Sequence, residues 1–294
     1  SPNRGEKAAR RRIRKTLYEI IRIIMDDFNI NGFLGNQALS IKYGFADKYT
    51  DLFSFAEELN RFAISQVDYF PFQKYKKDLV IGSLFCKCIT SYQSTILILS
   101  YGLPNEAEVL LRSLMESTFI LLACCNEDEY YKDYLKSHDY QRSQFAKNVI
   151  SNKLSIDLTT SFSKDEIANA KSNYRKSQKY KLNFREIAKK AGLINYYFTQ
   201  YCYLSLSTHN SPRSTEQYIF FDDKNEPYFV ITPKMNLDNV KTVIILSSDL
   251  ILKTLEKIHH YFGPEFIGLE FIGLEFNRSI RNFYDRRCSL LESS

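Results

Sequence analysis

The chain has no tryptophan, and only ten glycines and seven prolines in 294 residues. Glycine and proline are the main punctuation of turns. Their scarcity excludes folds made of many short strands and favours long helices joined by few loops. No stretch approaches the roughly 18–20 apolar residues of a membrane span, and the best run, Thr95–Ser100, is far too short. The six cysteines (Cys86/Cys88, Cys124/Cys125, Cys202 and Cys288) contain no C-x-x-C pair. Most sit in apolar runs, where a free thiol behaves as a small hydrophobe. With no secretory pattern at the N-terminus, a reducing cytoplasm is the simplest compartment. The four histidines lack H-x-x-x-H spacing, and there is neither a glycine-rich phosphate loop nor a nucleophile elbow. The sequence therefore predicts no metal and no cofactor.

What is present is apolar and aromatic. Hydrophobic residues make up 44% of the chain, with 21 Tyr and 22 Phe. That suffices for one large core, and the chain reads as a single helical domain over 1–294. The net charge is +6, and residues 1–22 carry eight basic and two acidic residues, which accounts for the whole excess. Residues 1–15 read as a basic arm, either a nucleic-acid or membrane-surface contact or a solvated helix end.

Apolar residues at helical spacing predict helices over 8–27 and Asn236–Phe262, and helices are also read over Asp47–Val67, Lys74–Tyr101 (apolar over most of its circumference), Asn105–Cys125, Glu127–Ser151 (charged and Tyr-rich), Asn183–Lys190, Asn195–Asn210 and Phe271–Leu290. Ser163–Tyr180 is polar and Lys-rich and reads as a solvated outer helix. Asn29–Tyr43 reads as a loop. Asn105 and Glu108 have the spacing of a capping box. Two β-prone runs in 217–232 flank Asp222–Pro227 and predict one hairpin. The expected architecture is all-α: a multi-helix bundle with one β-hairpin insertion. Glu265–Leu269 is repeated at once as Glu270–Leu274; two units of this length make no solenoid and read as a recent duplication.

Two constellations carry chemistry. On the helix at 105–125, Arg112 and Glu116 lie about 40° apart and are surrounded by Val109, Met115, Phe119 and Ile120. The helix is apolar nearly all round, so the pair is expected to enter the interior together, with Glu108 as a further partner. A buried ion pair rarely gains stability over a hydrophobic replacement. The pair therefore reads either as a functional site or as a structural bridge that sets helix register. In the second constellation, positions 198, 202, 205 and 209 share a helix face, which places His209 one turn beyond Ser205 with Tyr201 in range. His209 at a helix end reads as a general acid/base near neutral pH or as a capping histidine.

Leu111-Arg112-Ser113-Leu114-Met115-Glu116 resembles the R-[ST]-L-x-E signature of a family of bacterial helical proteins of unknown function. Tyr201-Cys202-Tyr203-Leu204-Ser205 with His209 resembles its second motif, Y-x-x-L-S-x-x-x-H, and the resemblance spans roughly residues 70–215. More distantly, the chain is similar to the HEPN class of ribonucleases and toxins, which cleave RNA without metal through an Arg and a His at a dimer interface. Here Arg213 follows His209, and Arg112 lies on another helix. The resemblance implies a bacterial conflict protein, a toxin or phage-defence effector, that acts on RNA as a homodimer. Arg112, Glu116 and His209 would be its catalytic residues in one pocket, with Tyr201, Ser205 and Arg213 binding. The alternative is a non-catalytic binding or scaffold protein in which the same residues form a buried network.

Overall fold

Residues 30–69, 75–151, 163–208, 212–231, 237–263 and 270–292 are described by a computed structural model. The helix expected at 8–27, the basic arm, His209 and the first copy of the duplicated pentapeptide lie outside the described residues. The helices are α1 (Gln37–Lys48), α2 (Thr50–Ser65), α3 (Lys76–Ser100), α4 (Pro104–Asn126), α5 (Tyr130–Ser151), α6 (Lys164–Ser177) and α7 (Phe184–Lys190). A helical lead-in (Ile194–Tyr196) and a π-turn (Tyr197–Tyr201) run into α8 (Cys202–Thr208), followed by α9 (Pro212–Glu216), α10 (Leu237–Phe262) and α11 (Glu270–Glu292). Strands β1 (Ile219–Phe221) and β2 (Pro227–Phe229) pair antiparallel, with Phe220 opposite Tyr228. The fold is the expected all-α architecture with one small hairpin. No described helix is long and apolar enough to cross a membrane.

Helix α4 is the hub. Helices α3, α10, α7 and α8 all pack on it. A helix contacted from several directions needs apolar residues around most of its circumference. Leu111, Leu114, Met115, Phe119 and Leu121 are accordingly completely buried. Around this hub, α10 contributes Val240, Ile244, Ile251 and Leu255, and α3 contributes Ile81, Phe85 and Leu99. Burial pushes the thiols of Cys88, Cys124 and Cys125 up to about 12, so they stay protonated.

Tyr92 ties three helices together. Its hydroxyl, buried on α3, meets the Ala56 carbonyl of α2 at 3.1 Å and Ser248 Oγ of α10 at 3.0 Å. Tyr92→Phe leaves both partners short of a hydrogen bond inside the core. The expected cost is about 1–3 kcal/mol, read as a lower denaturant midpoint at unchanged slope; an unshifted midpoint would show that the hydroxyl is dispensable.

Two local expectations are corrected. The segment read as a loop to Tyr43 is helical from Gln37, because Phe45 of α1 packs against Tyr49 and Phe53 with ring centroids at 4.8 and 6.0 Å. Tertiary contact outweighs the turn-formers Gly35 and Asn36, which stand only at its entrance. The start of α4 expected at Asn105 is also displaced. Helix α4 begins at Pro104, and Leu103 stands before it with no side-chain cap. Proline suits the first helical position because its fixed φ is already helical and its missing N–H would have had no partner there.

Candidate functional site

Arg112 and Glu116 lie on the part of α4 that α7 and the π-turn cover incompletely. Their side chains retain 17% and 30% of their exposure, and Arg112 Nε stands 3.5 Å from Glu116 Oε1. The expectation of a fully buried pair is therefore corrected: the pair sits at a rim, open on one side. Arg112 Nε itself is sealed from solvent and makes no directed hydrogen bond, so its link to Glu116 is electrostatic.

Tyr201 completes the group. Its hydroxyl donates to Glu116 Oε1 at 2.8 Å and accepts from Arg112 Nη2 at 2.9 Å. The ring is buried, stacked on Tyr197 at 5.1 Å, and also meets Phe119 and Phe184. The Arg112 guanidinium stands 4.7 Å from its centroid, a cation–π distance. Burial, and then the Glu116 carboxylate, push the Tyr201 hydroxyl up to about 12, while Arg112 pulls against them. The hydroxyl is thus protonated at neutral pH, which suits a donor to Glu116 and not a base.

The π-turn is what puts Tyr201 there. Each i→i+5 turn rotates the following side chains relative to a regular α-helix, and such turns concentrate at functional sites. Leu204 on α8 is buried and Ser205 is half-buried, its Oγ spent on the Tyr201 carbonyl at 2.8 Å. Phe198 and Cys202, expected to share a face with Ser205, are exposed. The structure therefore brings together Arg112, Glu116, Tyr201 and Ser205. Arg213 lies in α9, away in sequence from this turn, and His209 is outside the described residues.

Two clefts meet at the group. One, of about 620 Å³, is lined by Arg112, Lys181, Leu182, Asn183, Phe184, Tyr197, Tyr201 and Ser205. The other, of about 640 Å³, carries Glu116, Ser113, Ser117 and the α5 residues Tyr134, His138 and Tyr140. Both share Lys181, Leu182 and Phe184, so the segment that enters α7 lies between the two clefts. Asn183 fixes that segment by accepting from the Arg185 and Glu186 amides at the start of α7. Cations, rings and amide donors in a groove of this kind can hold a phosphate and stack a planar group. Among the described residues, no group of three His, Cys, Asp or Glu is placed to hold a metal.

A second polar group went unread in the sequence. Asp249 on α10 is 3% exposed; it pairs with Arg287 of α11, accepts from the Tyr196 hydroxyl, and has Lys253 at 3.8 Å. It lies beside a cleft of about 600 Å³ with Thr199, Gln200, Lys241 and Thr242. The signal was available, since Asp249 interrupts the apolar run of α10 as Arg112 interrupts that of α4. The two groups repeat one chemistry, an Arg, a Tyr and a carboxylate; Tyr196 immediately precedes the π-turn and Tyr201 ends it.

A family model described as a family of unknown function, DUF5677, matches residues 78–227, about half of the chain. The match covers Arg112, Glu116 and Tyr201 and stops short of Asp249 and Arg287. No curated protein and no solved structure matches the chain.

Proposed function

The chain belongs to the DUF5677 family, and from the site its matched segment builds we propose that it acts on RNA as a bacterial conflict protein, a toxin or phage-defence effector. The observation that carries this reading is the Arg112 cleft, in which a guanidinium and Lys181 stand among the rings of Phe184, Tyr197 and Tyr201. Phosphate is recognised by such cations, and unpaired bases stack on such rings. In this reading Arg112 neutralises charge on the phosphate as the 2′-hydroxyl attacks and the 5′-oxygen leaves. Tyr201 and Glu116 orient the guanidinium. Proton transfer falls to His209, which follows α8 in sequence. The described histidine on the groove wall, His138, is the control.

The second reading is a non-catalytic binding or scaffold protein. It is favoured by the closure of the triad, because the Tyr201 hydroxyl uses both its donor and an acceptor site within the protein. One experiment separates the two. Wild type, Arg112→Ala, His209→Ala and His138→Ala are incubated with end-labelled single-stranded RNA and melted in parallel. The catalytic reading expects cleavage by wild type and a loss of at least about 10²-fold in Arg112→Ala and His209→Ala, with folding retained. Loss in His138→Ala alone moves the proton transfer to α5. Absence of cleavage by wild type, or full activity in Arg112→Ala, overturns the catalytic reading.

A further inference from the structure

Charge balance over residues 23–294 hides a local excess. Residues 171–190 hold eight basic residues and one acidic residue, Glu186. They form the end of α6, a 3-10 turn at Gln178–Tyr180, and α7. Arg175, Lys176, Lys179, Lys181, Arg185 and Lys189 are all exposed, and among the described residues none of them is ion-paired with a carboxylate. A structural use of so many like charges would pair them. Here they repel one another and face water.

Rings alternate with these cations. Helix α6 packs along α5, and across that contact Lys147 sits 4.5 Å from the Tyr174 ring, which stacks on Tyr140 at 5.9 Å. Next, Lys136 and Lys179 stand 5.0 Å from the centroid of the Tyr180 ring. These cations hold the Tyr180 phenol below its ordinary range, with the Lys136 contact the largest cause. Lys181 then opens into both clefts of the Arg112 groove, and Arg185 covers the exposed Phe198 at 5.4 Å. The acidic residues Asp133 and Asp139 lie on α5, the same helix as Lys136 and Lys147.

We propose that the α5–α6–α7 face from Lys147 through Tyr180 to Lys181 is a track for single-stranded nucleic acid that delivers the strand to the Arg112 groove. Cations follow the backbone, and half-exposed rings stack bases whatever the sequence. A duplex offers phosphates but no free base faces, so it fits only half of this pattern. The inference rests on the RNA reading of the groove and moves the main contact away from the basic arm at residues 1–15.

The test is titration of the full chain against a labelled oligouridine at several salt concentrations. In the Lys136→Gln/Lys147→Gln/Lys176→Gln/Lys179→Gln variant all four positions are exposed, so the fold is kept. Affinity is expected to fall by at least about tenfold, and the salt slope to drop by about 0.7 for each phosphate that is no longer neutralised. Tyr180→Ala is expected to weaken binding about tenfold with the slope unchanged. Deleting residues 1–15 should leave the track's share of the slope in place, and the matched RNA duplex should bind more weakly than the single strand. Wild-type binding by the four-site variant, or equal affinity for the duplex, overturns the track while leaving the groove reading intact. No binding of single strands by wild type at low salt overturns both. Binding that depends on the track in a chain that cleaves nothing keeps the track and removes the catalytic reading.

Discussion

Asp249→Ala destabilises the protein by about 3–5 kcal/mol, read as a lower urea midpoint at unchanged slope. The carboxylate is 3% exposed and joins α11, through Arg287, to α10 and to the lead-in of the π-turn, through Tyr196. Removing it strands a guanidinium whose Nε already lacks a partner. The remaining 22% exposure of Arg287 lets some water reach it, which places the expected cost toward the lower end. Asp249→Asn keeps the shape and an acceptor for Tyr196 but loses the charge, and is expected to fall between. The double replacement Asp249→Leu/Arg287→Met removes both charges and should recover most of the loss, because a buried pair gains little over well-packed apolar side chains. Wild-type stability in Asp249→Ala would mean that the network does not hold α11 in place.

Replacing Tyr201 separates packing from polarity at the candidate site. Tyr201→Ala deletes a ring buried among Phe119, Phe184 and Tyr197 and is expected to cost about 3–5 kcal/mol. Tyr201→Phe keeps the ring and removes only the bridge between Arg112 and Glu116, at about 1–2 kcal/mol. The hydroxyl also sets a pH signature. Its folded value is raised from 10.0 to about 12, so the folded state holds this proton while the unfolded chain releases it. The associated stability is complete below pH 10 and is lost as pH rises toward 12. Tyr201→Phe should therefore flatten the alkaline limb of the stability curve, measured by unfolding between about pH 9 and 12. An alkaline limb identical to wild type would show that the hydroxyl titrates as an exposed phenol does. For function, Tyr201→Phe with an intact fold and reduced RNA cleavage assigns the hydroxyl to positioning Arg112; unchanged cleavage makes it purely structural.

How much of this could be read from the chain varied with the reach of the contact. The long helices α3, α4 and α10 followed from their apolar residues, because burial of a helix face is written at every third or fourth residue; α5 was read as a charged, Tyr-rich helix. The hairpin followed from two β-prone runs around Asp222–Pro227. The start of α4 did not: Asn105 and Glu108 have the right spacing for a cap, but Pro104 stands earlier and begins the helix. Helix α1 was hidden by Gly35 and Asn36, whose local preference yields to the packing of Phe45 on Tyr49 and Phe53. At the site, Arg112 and Glu116 stood out as charges in an apolar helix. Tyr201 was placed near them by motif, but its hydroxyl bridge was not legible, since it spans 85 and 89 residues of chain. Asp249 carries the same signal as Arg112, a lone charge among the apolar residues of α10, but its partners Tyr196 and Arg287 are 53 and 38 residues away in the chain.

The Arg112/Glu116 pair marks the division. Sequence alone determined that α4 is apolar nearly all round and that two opposite charges one turn apart interrupt it, because helical periodicity is a local property of the chain. Only the tertiary structure decided that the pair stands at an open rim. That outcome depends on how completely α7 and a π-turn, distant in sequence, cover one stripe of α4. The same structure set Lys136 and Lys147 of α5 beside the rings of Tyr180 and Tyr174, a local gathering of charge and rings that net charge had averaged away.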